Sequence, residues 1–149
     1  MPMITSDHRV EVLAKAPLFS GFSHRDLRKV AKAAEEVHVH AGDHLCEEGE
    51  HGEWAFILVD VGAVGVVGGT HVATLAPGEL CGELSLLDGG PRAATITVNG
   101  DGSVLLVPRR AFLELLEDVP SLVSVVLASF GERLRTANAV TAGSFLTGG

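Results

Sequence analysis

Apolar residues recur along this chain at two different spacings. Residues 8–17 carry Val10, Val12, Leu13 and Ala16, which predicts a short helix. Pro17-Leu-Phe-Ser-Gly-Phe then breaks it. Ser23 followed by Asp26 fits a capping box and predicts the start of a second helix. Its apolar face is Leu27, Val30, Ala31 and Ala34, while Arg28, Lys29, Lys32, Glu35 and Glu36 fall mostly on the wet side.

From Val37 to Val107 the pattern shortens to runs cut by glycine. The runs are Val37-His-Val-His, Ala55-Phe-Ile-Leu-Val, Val64-Gly-Val-Val, His71-Val-Ala-Thr-Leu, Thr95-Ile-Thr-Val and Ser103-Val-Leu-Leu-Val. Many short strands at regular turn spacing predict a sandwich or barrel. Gly68-Gly69 between two runs predicts a tight hairpin.

Helical spacing returns from Arg109 to Glu117, with Phe112, Leu115 and Leu116 inward. Pro120 suits a first helical position, with Asp118 placed to help cap it, and a last helix runs to about Asn138. Val123, Leu127, Phe130 and Leu134 share one stripe of that helix. Leu122, Val125 and Val126 widen it beyond what one contact surface needs, so these three are expected to touch a partner. The plan is helices, a β-barrel, then helices. Residues 1–138 are expected to form one domain and 139–149 a frayed, small and polar tail.

Composition narrows this picture. Apolar content of 46% and charged content of 20% fit a globular chain. The apolar runs are far short of a membrane span and no signal peptide opens the sequence, so a soluble, cytoplasmic protein is expected. The net charge of −8 argues against non-specific nucleic-acid binding. Cys46 and Cys81 have no metal or redox spacing and are expected to be free thiols.

The informative stretch is CGELSLLDGGPRAATITV, residues 81–98. Gly82 to Leu87 predicts a short helix whose first amides suit an anion. Gly89-Gly90-Pro91 turns the chain back, and Arg92 offers that anion a planar fork of donors. Ala93 and Ala94 leave their own amides approachable. Glu83 would repel a phosphate, so it fits a ligand hydroxyl or an arginine partner better. A compact ligand with one anionic group and a neighbouring hydroxyl is implied.

This segment resembles the phosphate-binding cassette of the cyclic nucleotide-binding domain family, with the family spacing between Glu83 and Arg92. Gly42-Asp43, Glu48-Gly49-Glu50, Gly52-Glu53-Trp54-Ala-Phe-Ile-Leu and Gly62 are similar to its glycine-punctuated strands. Phe112-Leu-Glu-Leu-Leu and Pro120 to Arg135 resemble its two closing helices, so the likeness covers about residues 16–135. It implies an α+β fold, a β-roll (a jelly-roll-like antiparallel barrel) flanked by N-terminal helices and two C-terminal helices. It also implies a sensor, not an enzyme, that transmits ligand occupancy through its last helix.

Carried over by position, the resemblance gives Glu83 to the ribose 2′-hydroxyl and Arg92 to the phosphate, with amides near Gly82, Leu84, Ser85, Ala93 and Ala94 completing the cradle. Val64 and Val66 are candidates for the base pocket, and Phe130 and Leu134 for the lid. A threonine after the arginine helps the family hold cGMP, so Ala93 points to cAMP, with cGMP weaker. Cys81 replaces the usual phenylalanine and trims the packing beneath the cassette. No cofactor is expected. The partners expected are the nucleotide and, through the C-terminal helix, a second copy or an effector protein, with no nucleic acid and no membrane.

Two other readings use the same residues. A ligand-free scaffold would keep Glu83 and Arg92 as a structural ion pair. A cupin-like metal barrel would use His38, His40 and Glu47, but the interval from His40 to Glu47 is too long and the preceding glycine is missing. The residues beyond the last helix are too few for a helix-turn-helix output. A stand-alone binding protein, or the regulatory piece of a longer one, is therefore expected.

Overall fold

The structure is a computed structural model that describes residues 6–129 and 131. Helix α1 (Ser6–Lys15) leads through a 3-10 turn (Pro17–Phe19) to α2 (His24–Ala33). The expected cap is present: the Asp26 amide donates to Ser23 Oγ at 3.1 Å. Eight strands follow: β1 (Glu35–Val39), β2 (His44–Cys46), β3 (Trp54–Leu58), β4 (Ala63–Val67), β5 (Thr70–Leu75), β6 (Leu80–Cys81), β7 (Thr95–Val98) and β8 (Gly102–Pro108). Helix α3 (Glu83–Asp88) interrupts them after β6, α4 (Arg109–Asp118) follows β8, and residues 120–129 are again helical.

The strands form two antiparallel four-stranded sheets, β1-β8-β3-β6 and β2-β7-β4-β5. This is a roll with open edges rather than a closed barrel. Strands β2 and β6 had no clear signal, because three and two residues are too short to display a period. The Gly68-Gly69 hairpin is as expected. Val67 pairs with Thr70, and both glycines have positive φ (57° and 82°), as a two-residue turn of this hand requires.

Strand alternation divides the core. Ala55, Ile57, Leu105 and Val107 point toward the helices and join Leu13, Phe19, Val30 and Phe112 in one buried cluster. Phe56, Leu58 and Val104 point the other way and meet Ala63, Ile96 and Val98 of the second sheet. The first sheet is therefore covered by helices on one face and by the second sheet on the other.

One expectation is reversed. In the 120–129 helix, Leu122, Val125 and Val126 are the core-facing side chains, while Val123 is 38% and Leu127 64% exposed. The 122, 125, 126 and 129 positions share one face at helical spacing, and that face meets the domain. The 123/127 stripe points outward. Phe130, Leu134 and the 139–149 tail lie outside the described residues.

Candidate functional site: a buried acid and a buried arginine on one cassette

Helix α3 can begin where it does because its N-cap, Gly82, has φ +79°. A Cβ there would also sit 2.7 Å from Arg92 Nη1 and 3.0 Å from the Phe56 ring. The next side chain, Glu83, is fully buried at 0% exposure, and its Oε1 accepts from Ser129 Oγ at 3.1 Å. Ser85 is buried on the same helix, and its hydroxyl faces Gly82 O at 3.4 Å.

Arg92 returns the chain to this point and is 5% exposed. Its Nη1 donates to Gly82 O at 2.6 Å and to Ser85 Oγ at 2.9 Å, while Nη2 donates to Trp54 O at 2.6 Å. The guanidinium carbon lies 5.4 Å from the Phe56 ring centroid, within cation–π range. The fork thus spans the last residue before α3 and the first residue of β3. All three acceptors are neutral, so the arginine's charge is hydrogen-bonded but is not neutralised by them.

The segment between β2 and β3 closes over the cassette. Gly49 N donates to Arg92 O at 2.9 Å, and Arg92 N to Glu50 O at 2.6 Å; His51 bridges Pro91. Gly52 then passes directly over the guanidinium: a Cβ there would lie 2.5 Å from Arg92 Cζ and 2.6 Å from Ser85 Oγ. Sequence reasoning placed Gly52 among punctuating glycines. Its contact with Arg92 is long-range in sequence and left no local signal.

The remaining expected residues are spread over the cassette and the second sheet. Ala93 is exposed and Ala94 half-buried, and the Ala94 carbonyl accepts from Cys46 Sγ at 3.6 Å. Leu84 lies within α3. Val64 and Val66 are half-buried, opposite Thr97 and Thr95. They share the outer face of the second sheet, because Ala63 and its partner Val98 point into the roll. A cleft of about 400 Å³ opens between the sheets, walled by Val37, Val39, Trp54, Phe56, Val104 and Leu106, and its Trp54 and Phe56 also contact Arg92. Trp54 stands partly exposed at its rim. Arg109 donates through Nε to Leu86 O at 3.0 Å and ties α4 to α3. Arg110 pairs with Glu114 on the surface.

Two groups near the cassette have shifted acidities. Burial pushes the Cys46 thiol up, which favours its protonated form. Glu50 is raised by a hydrogen bond with the Glu47 carboxyl and by that neighbour's charge. Cys46 is a free thiol. Among the described residues, no three or more histidine, cysteine or acidic side chains are grouped to hold a metal. Among the same residues, no helix is long and apolar enough to cross a membrane.

A two-sheet roll with helices packed on one face, carrying a buried acid and arginine on a strand–helix–turn segment, defines a class of ligand-binding regulatory domain. Residues 36–119 match the family model described as a cyclic nucleotide-binding domain, and the chain belongs to that family. It is 29% identical over 123 residues to a cyclic nucleotide-gated potassium channel of Rhizobium etli, covering 83% of this chain and 34% of the channel. It is 27% identical over 133 residues to a CRP-like cAMP-activated global transcriptional regulator of Mycobacterium tuberculosis, covering 86% of this chain and 59% of the regulator. The chain thus spans less than two thirds of either relative. Its fold superimposes on cAMP-bound PfPKA-R with a TM-score of 0.81 at 26% identity, covering 91% of this chain and 47% of that one.

Proposed function

We propose that this domain binds a 3′,5′-cyclic nucleotide, cAMP in preference to cGMP, and reports occupancy through its C-terminal helix. The observation that carries the reading is that Arg92 and Glu83 converge: Arg92 Nη1 donates to the carbonyl of the residue immediately before Glu83. The relatives support it, since the regulator's name states activation by cAMP and the superimposed structure holds cAMP.

In this reading the phosphate takes the Arg92 fork together with amides of Gly82, Leu84, Ser85, Ala93 and Ala94. Arg92 exchanges neutral oxygens for anionic ones, which adds ion pairing and a bidentate fit to bonds that the guanidinium already strengthens. Glu83 accepts the ribose 2′-hydroxyl. The base lies beside Val64 and Val66, since Val66 stands opposite Thr95, three residues past Arg92. Phe130 and Leu134 serve as lid contacts. The domain is cytoplasmic, carries out no catalysis and needs no cofactor. The exposed Val123 and Leu127 stripe meets a second copy or an effector.

Calorimetric titration with cAMP and cGMP tests this. Tighter binding of cAMP is expected, and Ala93→Thr should narrow the gap between the two. Equal affinities, or no change in Ala93→Thr, would remove the argument for purine choice. A ligand-free scaffold is the second reading. It is favoured by the engagement of Arg92 with protein oxygens and by the complete burial of Glu83. Absence of binding to either nucleotide at high micromolar levels would select it.

A further inference from the structure

Ser129 belongs to no motif, yet it meets the acid at the centre of the cassette. It continues the core-facing side of the 120–129 helix, one turn beyond Val125 and Val126. That register points its hydroxyl at Glu83, 46 residues away in sequence, and Oγ donates to Oε1 at 3.1 Å. The carboxylate it meets is fully buried. A ligand hydroxyl therefore cannot reach this carboxylate until something covering it moves.

We propose that Ser129 is an internal competitor for the ligand. Its hydroxyl is a neutral O–H donor on a carboxylate oxygen, the same chemistry that a ribose hydroxyl would bring. This inference rests on the cyclic nucleotide reading and deepens it. Ligand and the docked 120–129 helix both claim Glu83, so each weakens the other, and the coupling is reciprocal. Leu122, Val125 and Val126 lie on the same face of this helix, so release of Ser129 loosens the packing that those residues make. Ser129 is thus a positioning residue that sets affinity and couples the cassette to the helix.

The test uses the full chain, titrated with cAMP and with 2′-deoxy-cAMP, as wild type, Ser129→Ala and Ser129→Thr. Ser129→Ala should bind cAMP about tenfold more tightly. Ser129→Thr, which keeps the hydroxyl, should stay close to the wild type. The gain should be smaller for 2′-deoxy-cAMP, which has no hydroxyl to take the vacated place. Amide hydrogen exchange in the wild-type 121–129 segment should rise when cAMP is added. A merely structural serine would lower stability without tightening any ligand. Unchanged or weaker cAMP binding by Ser129→Ala, in a wild type that does bind, overturns the competition and leaves the ligand reading standing. An equal gain for both nucleotides overturns the hydroxyl exchange. Failure of both wild type and Ser129→Ala to bind overturns the ligand reading and the competition together. Binding by Ser129→Ala alone is the expected result at its extreme.

Discussion

The cassette and the contact between α1 and β1 both bury charged side chains, and they satisfy them differently. In the cassette, Arg92 donates to Gly82 O, Ser85 Oγ and Trp54 O, and Glu83 accepts from Ser129. Between α1 and β1, Arg9 Nε and Glu36 Oε2 are buried with no hydrogen-bond partner among the described residues. The other Glu36 oxygen lies 3.5 Å from His8 Nε2. The difference lies in what surrounds the charge. Gly52 and Gly82 bring backbone close to the arginine, so carbonyl oxygens reach it. Helix α1 contributes larger side chains, Val10 and Leu13, to the helix-side core, and among the described residues Arg9 Nε finds no acceptor there. Buried polar groups in native proteins are normally partnered. The fully arranged set fixes the cassette in one geometry, and the partly arranged one leaves two polar atoms to packing alone.

The largest effect should come from breaking the arranged set. Arg92→Ala leaves up to three acceptors without their donor, two of them backbone carbonyls. Chemical denaturation should show a loss of about 2–4 kcal/mol. Cyclic nucleotide binding should fall at least tenfold in the same protein. Arg92→Lys should recover only part of the stability, because an ammonium lacks the planar fork. Full recovery by lysine would mean that charge, and not the geometry of the cassette, is what the fold uses there.

Next in size is the clearance over the guanidinium. Gly52→Ala places a Cβ 2.5 Å from Arg92 Cζ and 2.7 Å from Nε, and the guanidinium that must give way is held by three hydrogen bonds. A loss of about 1–3 kcal/mol is expected. Gly100→Ala is the control, since nothing lies within 4 Å of a Cβ there. Its unfolding midpoint should stay near that of the wild type. Equal losses at the two positions would show that Gly52 contributes no specific clearance.

The packing site should tolerate change better. Glu36→Gln removes a charge whose second oxygen has no partner among the described residues, and gives up only a 3.5 Å contact with a half-exposed histidine. Removing a poorly paired buried charge relieves desolvation as it loses attraction, so a net change within about 1 kcal/mol is expected. A loss as large as that of Arg92→Ala would erase the distinction between the two regions.

Sequence reading reached the cassette because its residues are local. Gly82, Glu83, Ser85, Arg92 and the turn between them lie within eleven positions, and their spacing survives without knowledge of the fold. Element types were legible where a period had room to appear, as in β3, β8, α2 and α4. The three-residue β2 and two-residue β6 had none. The contacts that complete the site were not legible. Gly52 over Arg92, the Trp54 carbonyl and the Ser129 hydroxyl all arrive from other elements, and their own neighbours in sequence say nothing of it. The reversed stripe of the last helix has the same origin. With apolar residues on both sides, only the body that it packs against decides which side is buried.

The smallest effect lies at the edge of the cassette, where Glu50 gives its backbone carbonyl to Arg92 N but turns its side chain to Glu47. The Glu50 carboxyl is raised first by the hydrogen bond with Glu47 and then by that neighbour's charge. A carboxyl whose folded value lies above its unfolded value favours the fold while protonated. That contribution is fully present below the ordinary glutamate value of about 4.3 and is lost as pH rises through the raised folded value. At neutral pH the two carboxylates repel, so Glu50→Gln should unfold at a slightly higher temperature than the wild type. The difference should shrink as pH falls through that window and vanish below it. Added salt should also reduce it, because the group is at the surface. The side-chain change leaves the Glu50 carbonyl on Arg92 N, so cyclic nucleotide affinity should move far less than in Arg92→Ala. A pH-independent difference would mean that the Glu47–Glu50 repulsion is not its source.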